Sequence, residues 1–301
     1  FSGFQQEFEN GNKEKALEKL LELLDALEKA DTSRRAAQID KDGNVTLSSE
    51  IPAGKPAAEK SAEDGTGKSQ PLYMSLNHVM EYYIFAYYFQ PATEVRCTDI
   101  PYGEYYRTYG QLALSMQKYN GAKKAYERAI AWNPVDLDAY LGLAEVYKYQ
   151  NQREKYLTVT KQAYRYCCTR ATMARYYRNM AFYYLSGYEP ETARACYQYS
   201  NVYYHTENAD SELKYISEAI QQETPQTDIR AIQKLFDEKQ IEPGPDSQTI
   251  GIVYKVGEIL LKDGDYKLAK DCYSIVYDIT QDAAAEKMLN ELEAAISGSE
   301  E

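Results

Sequence analysis

Histidine is almost missing from this chain, with His78 and His205 the only two in 301 residues. So few argue against a histidine-rich metal centre or a catalytic triad. Cysteine is sparse as well, and its pattern matters more than its number. Cys97, Cys167, Cys168, Cys196 and Cys272 make an odd set, the only close pair is adjacent, and no C-x-x-C occurs. Neither a disulfide framework nor a thiolate metal site follows, and a reducing compartment fits best. Positive charge is in deficit. The net charge of −12 and pI of about 4.9 repel phosphate backbones and anionic membranes. No nucleic-acid partner is expected, and the acidity favours either basic partners or simple solubility. Long apolar runs are lacking: the stretch 72–89 contains Ser75, Asn77, His78 and Glu81 and is short for a bilayer. It reads as a buried helix, and no membrane insertion is expected. No basic, apolar leader follows Phe1, so no secretory signal is read and a cytoplasmic location is expected. Catalytic signatures are missing too, among them G-x-G-x-x-G, H-E-x-x-H and G-x-S-x-G. The expectation is no enzyme, no cofactor and no metal.

What is present suffices for a core, since 44% of residues are hydrophobic against 27% charged. From Lys13 to Ala30, Ala16, Leu17, Leu20, Leu21, Leu24 and Leu27 recur at three and four, which predicts an amphipathic helix. A lone helix of that length is marginal, so its stripe must bury itself on something. Residues 31–71 change character: Gly43, Gly54, Gly65, Gly67, Pro52, Pro56 and Pro71 interrupt any period. A flexible loop or linker is expected there. Within it, Asp40, Asp42 and Gly43 partly match a calcium loop, but Gln38 and Ser49 stand where the first and closing acids belong. A Lys41-Asp42-Gly43 turn between strands Ala37–Ile39 and Val45–Leu47 explains the segment better. Gly65-Thr-Gly67-Lys-Ser69 superficially resembles a phosphate loop, yet its glycine spacing is wrong and no apolar strand leads into it. From Leu72 onward the pattern is helix, turn, helix, with stops such as Asn133-Pro134, Ser186-Gly187 and Asp263-Gly264.

The strongest pattern is a spacing that recurs. Tyr106, Tyr109, Gly110 and Ala113 are followed by Ala122, Tyr126, Ala129 and Pro134. Tyr140, Leu143, Ala144, Tyr147 and Ala163 repeat most of that order about 34 residues later. A third copy has Tyr177, Met180, Ala181, Tyr184, Ala193 and Tyr197. A fourth has Val253, Val256, Gly257, Leu260, Ala269 and Tyr273. On these residues the chain resembles the tetratricopeptide repeat (TPR) family, whose unit is a pair of antiparallel helices. Stretches 211–222 and 227–240 look like a divergent pair, and 283–296 like a capping helix. The resemblance implies an all-α, right-handed superhelix of helix-turn-helix repeats, a solenoid. Its organisation would be an N-terminal helical segment at 1–30 packing on the array, the linker at 31–71, and the array with its cap at 72–301. The Lys13–Ala30 helix would dock beside 72–89.

In such arrays the first helix of each hairpin lines a concave groove, and the resemblance implies a protein or peptide partner bound there. Projecting the helical period onto these helices selects residues that the packing motif leaves unused. They are Arg107, Gln111, Glu145, Lys148, Tyr149, Arg175, Arg178, Asn179 and Phe182, with Tyr254 and Glu258 equivalent in the last copy. Arg and Asn suit a peptide backbone or carboxylate, and rings supply contact area. The plain alternative is that they form the wet face of a helix. A family subclass clamps C-terminal carboxylates of chaperone tails, and its positions here carry Arg107, Gln111, Gly142, Arg175 and Asn179; Gly142 lacks the amide that clamp needs. The 31 tyrosines against 7 phenylalanines, many in doublets, suit half-buried sites where the ring packs and the hydroxyl stays wet. The leading reading is a non-enzymatic scaffold. Its rivals are the ligand- or peptide-sensing half of a larger regulator, and an enzyme accessory or cryptic hydrolase.

Overall fold

The computed structural model describes residues 1–30, 34–35, 37–42, 44–47 and 71–298. The expected phosphate-loop likeness at 65–69, and Gly43 and Ser49 of the calcium pattern, lie outside the described residues. So does most of the expected linker. The chain divides into two compact units, Phe1–Val159 and Thr160–Glu301.

In the first unit, helices α1 (Ser2–Glu9) and α2 (Lys13–Ala30) pack as a pair. Four residues of the three-and-four stripe, Ala16, Leu17, Leu20 and Leu24, lie inside, with helix α4 (Tyr102–Ser115) packed on α2, whereas Leu21 is 44% exposed and Leu27 half-buried. Glu28 fixes the register of α2, accepting from the Tyr106 hydroxyl and facing Arg128 at 3.9 Å. Helix α4 pairs with α5 (Tyr119–Trp132), and α5 packs on α6 (Leu137–Tyr149). Trp132 stacks on Tyr102 at 4.0 Å and closes the open end of the α4–α5 hairpin. Tyr126 fills the space between three helices, and glycine makes that possible. A Cβ at Gly110 would lie 2.9 Å from the Tyr126 ring, and one at Gly142 only 2.2 Å.

Strands enter this all-α fold as short accessories. The Ala37–Ile39 and Val45–Leu47 hairpin (β2 and β3) forms at the expected residues. Asp40 Oδ1 accepts from the backbone of Asp42 and Asn44, so this carboxylate closes the turn. Among the described residues no group of three or more His, Cys, Asp or Glu could hold a metal ion. The stretch 72–89 departs from expectation. It is not one helix: Leu72–Met74 is strand β4, flanked in parallel by β1 (Arg34–Arg35) and β5 (Val95–Cys97). Helix α3 (Val79–Phe89) starts only at His78, whose ring accepts from Met80 N. Glu81 reaches back to accept from the backbone of Asn77 at 2.7 Å and of His78 at 3.3 Å, a reciprocal cap that stops the helix there.

Helix α7 (Arg153–Tyr164) carries the boundary between the units. In the second unit α8 (Arg170–Ser186) pairs with α9 (Pro190–Tyr203), and α9 is covered by α10 (Glu207–Ile220) and α11 (Ile229–Lys239). Helices α12 (Ser247–Lys262) and α13 (Tyr266–Thr280) make a further hairpin, closed by α14 (Ala283–Gly298). Tyr177 is the hub of this unit. Its ring lies edge-on to Tyr199 at 4.8 Å and stacks on Phe236 at 5.6 Å. Its hydroxyl donates to Glu242 O and accepts from Gly244 N. Most doublets put their two rings in different surroundings, with Tyr106 and Tyr184 buried and Tyr82, Tyr87 and Tyr204 exposed, but Tyr176 and Tyr177 are both buried.

Candidate functional site

Within the first unit, α1 and α4 wall a cleft of about 710 Å³. Gln111 lines it from α4 with Thr108 and Leu112, and Phe4 and Phe8 face them from α1. Phe1 closes one end, its ring stacked on Tyr105 at 4.6 Å. The aromatic wall of this cleft was not foreseen from the sequence, although Phe4 and Phe8 stand one helical turn apart. On α6, Glu145 and Lys148 are half-buried. Tyr149 is exposed and stacks on Tyr119 at 5.7 Å.

Arg107 has a different position from these. Its Nε lies 3.2 Å from Asp136 Oδ2, Nη1 donates to Asp138 at 3.1 Å, and Nη2 donates to Asn77 at 2.8 Å. Its side chain is only 17% exposed and that of Asp136 only 1%. Asp136 also caps α6, accepting from Ala139 N. The guanidinium therefore joins α4, the α6 cap and the entry to α3. Buried Asn133 extends the network by donating to Glu81. Burial, reinforced by the Glu81 charge and opposed by Arg107, raises the Asp136 carboxyl from 3.8 to about 6.

That shift has a definite sign. The fold binds the Asp136 proton more tightly than the unfolded chain, so this group's contribution is full below about pH 4 and is lost as pH rises through 6. Asp136→Asn lacks the effect. Between pH 4 and 7 the stability of the native protein relative to this variant should fall by roughly 2–3 kcal/mol. Urea titrations followed by Trp132 fluorescence measure it, and a pH-independent difference would contradict the account.

In the second unit, α8 brings Arg175, Arg178, Asn179 and Phe182 onto successive turns. Thr169 caps the start of the helix and fixes this register. Arg175 and Arg178 are half-buried, and Asn179 is 6% exposed. Burial, and then the Arg175 charge beside it, pull the Arg178 guanidinium below its ordinary value. Among the described residues neither arginine forms an ion pair, and Arg178 Nη1 and Asn179 Nδ2 are buried with no hydrogen-bond acceptor. Unpaired buried donors are rare and costly, and here two occur together, with the like charge of Arg175 beside Arg178. The set is suited to an acceptor that carries negative charge. In the last hairpin Glu258 pairs with Lys255 at 2.7 Å, and Tyr254 lies edge-on to Tyr273.

Residues 103–136 match the tetratricopeptide repeat family, a span that covers the α4–α5 hairpin to the cap of α6. No curated protein matches the sequence significantly. Among solved structures, a chain of the APC/C hetero-tetramer Cut9-Hcn1 is similar at 14% identity and a TM-score of 0.37, over 65% of this chain and 38% of that one. PilF of Pseudomonas aeruginosa is similar at 15% and 0.36, over 66% of this chain and 86% of that one. YrrB, described as a TPR protein with an unusual peptide-binding site, is similar at 14% and 0.33, over 62% and 91%. The chain is a TPR-like helical-repeat protein with an all-α fold. Among the described residues no helix is long and apolar enough to cross a membrane.

Proposed function

We propose that this TPR-like chain is a non-enzymatic scaffold that binds a protein or peptide along the first helices of its hairpins, the face that is concave in TPR arrays. The observation that carries this reading is the donor set of Arg175, Arg178 and Asn179, which no acceptor among the described residues satisfies. An acidic side chain or terminal carboxylate of a partner would pair with it, gaining charge-assisted hydrogen bonds while relieving the repulsion between the arginines. Phe182, on the same helix, would add contact area. In the first unit Gln111 and the α1–α4 cleft would take an apolar side chain, with Glu145, Lys148 and Tyr149 as further contacts. Arg107 acts instead as a positioning residue that holds the α6 cap.

The test starts from a peptide library displayed against the intact chain. Selected sequences should be enriched in Asp, Glu or a free C-terminus. Arg175→Glu combined with Arg178→Glu should weaken them by about 10- to 100-fold, the value of one or two charge-assisted contacts. Unchanged binding by the double variant would remove the α8 face from the site.

A further inference from the structure

A second concavity, independent of the scaffold reading, lies wholly within the second unit and encloses about 540 Å³. Its two sides have opposite charge. The end of α7 supplies Lys161 and Arg165, and the 240–247 loop supplies Glu242 and Asp246. Tyr164 and Tyr176 lie between them, their ring centres 5.1 Å apart.

Three features make this a formed site rather than a dent between loops. The loop is pinned from beneath, because the Tyr177 hydroxyl donates to Glu242 O at 2.8 Å and accepts from Gly244 N at 2.7 Å. Gly244 takes φ +136, a conformation that side-chain-bearing residues rarely adopt, so the backbone itself is specified for the turn. The far end is equally fixed, since Asp246 Oδ1 caps α12 by accepting from Gln248 and Thr249. A pocket wall held in this way does not have to be ordered by its ligand.

The lining also leaves groups uncommitted. Tyr176 is 2% exposed, yet its hydroxyl makes no hydrogen bond among the described residues. Lys161 and Glu242 make no ion pair among the described residues either, so the two sides do not simply neutralise each other. Burial first, then the Glu242 and Asp246 charges, hold the Tyr164 proton well above the ordinary phenol range; burial does the same for Tyr176. Both phenols are therefore neutral donors.

We propose that this pocket binds a small zwitterion, with a free α-amino acid as its simplest form. The ammonium lies against the Tyr164 and Tyr176 rings and pairs with Glu242, while the carboxylate takes Lys161 with Arg165 beside it. A lone anion would meet the Glu242 side unpaired, and a lone cation would meet Lys161. A ligand with both charges meets an opposite charge on each side, which a lone ion does not.

The twenty L-amino acids, each added to the intact chain in a thermal-shift assay and then titrated calorimetrically, test this. At least one should bind, and blocking either end, by N-acetylation or by conversion to the amide, should weaken it about 10-fold or more. Glu242→Gln should abolish the sensitivity to N-acetylation and leave that to amidation. Lys161→Met should do the reverse. Both residues are on the surface, so neither variant should alter folding. Binding by none of the twenty, equal affinity for blocked and free forms, or variants that change both sensitivities alike would each overturn the proposal.

Discussion

Gly142→Ala is expected to destabilise the first unit by about 3 kcal/mol, the upper end of ordinary overpacking costs. The new methyl would lie 2.2 Å from Tyr126 Cε1 and 2.3 Å from Cζ, far inside contact distance. The ring has no room to swing aside, because it is 2% exposed and lies so close to α4 that a Cβ on Gly110 would also come within 2.9–3.0 Å of it. Gly110→Ala meets a milder clash and should cost about 1–2 kcal/mol. Trp132, the single tryptophan, sits inside this unit and reports its unfolding in urea. If the ring is the obstacle, Tyr126→Ala and Gly142→Ala will be strongly non-additive, the double variant being more stable than the sum by 1 kcal/mol or more. An unfolding midpoint for Gly142→Ala equal to that of the native chain would mean that Tyr126 does not lock these helices.

Removing Arg107 should be as damaging, but with a pH signature that packing lacks. Arg107→Met keeps most of the stem and deletes the cation, leaving Asp136 1% exposed with no counter-charge beside it. Breaking a buried pair by deleting one member typically costs 3–5 kcal/mol. That full cost applies at pH 8, where Asp136 is ionised. It should shrink below pH 6, where the raised carboxyl takes a proton and no charge remains to be compensated. Adding Asp136→Asn to Arg107→Met should recover part of the loss at pH 8. A cost that is the same at pH 5 and pH 8 would mean that the guanidinium contributes only through its stem.

These two sites also mark what the sequence could disclose. The bounds of α2 follow from a local three-and-four stripe, and those of β2 and β3 from the Lys41-Asp42-Gly43 turn; both depend on neighbours in the chain. The α4–α5 hairpin is equally legible because small and large residues alternate at fixed offsets. Strand β4 is not, since its partners Arg34–Arg35 and Val95–Cys97 are distant and each strand spans only two or three residues. No period can build up over so short a length. The start of α3 was readable in principle, from His78 followed by Glu81, but the apolar run concealed it. Arg107 faces the same limit: its phase on α4 marks it as unused by packing, while its acid partner Asp138 lies 31 residues away in sequence. Phase tells which way a side chain leaves its helix, not what meets it. For Arg178 and Asn179 the helical phase is legible, and burial without an acceptor is a property only the folded chain reveals.

A charge swap at Arg178 tests whether the α8 face holds the partner's acidic group. For a peptide selected on the native chain, affinity is measured against native protein and Arg178→Glu, using both the original peptide and one whose anchoring acid is replaced by lysine. Arg178→Glu and the lysine peptide should each lose about 10-fold or more, and together they should recover much of the loss. Losses that simply add, or no loss on Arg178→Glu, would contradict the assignment of this face to the partner's acidic group.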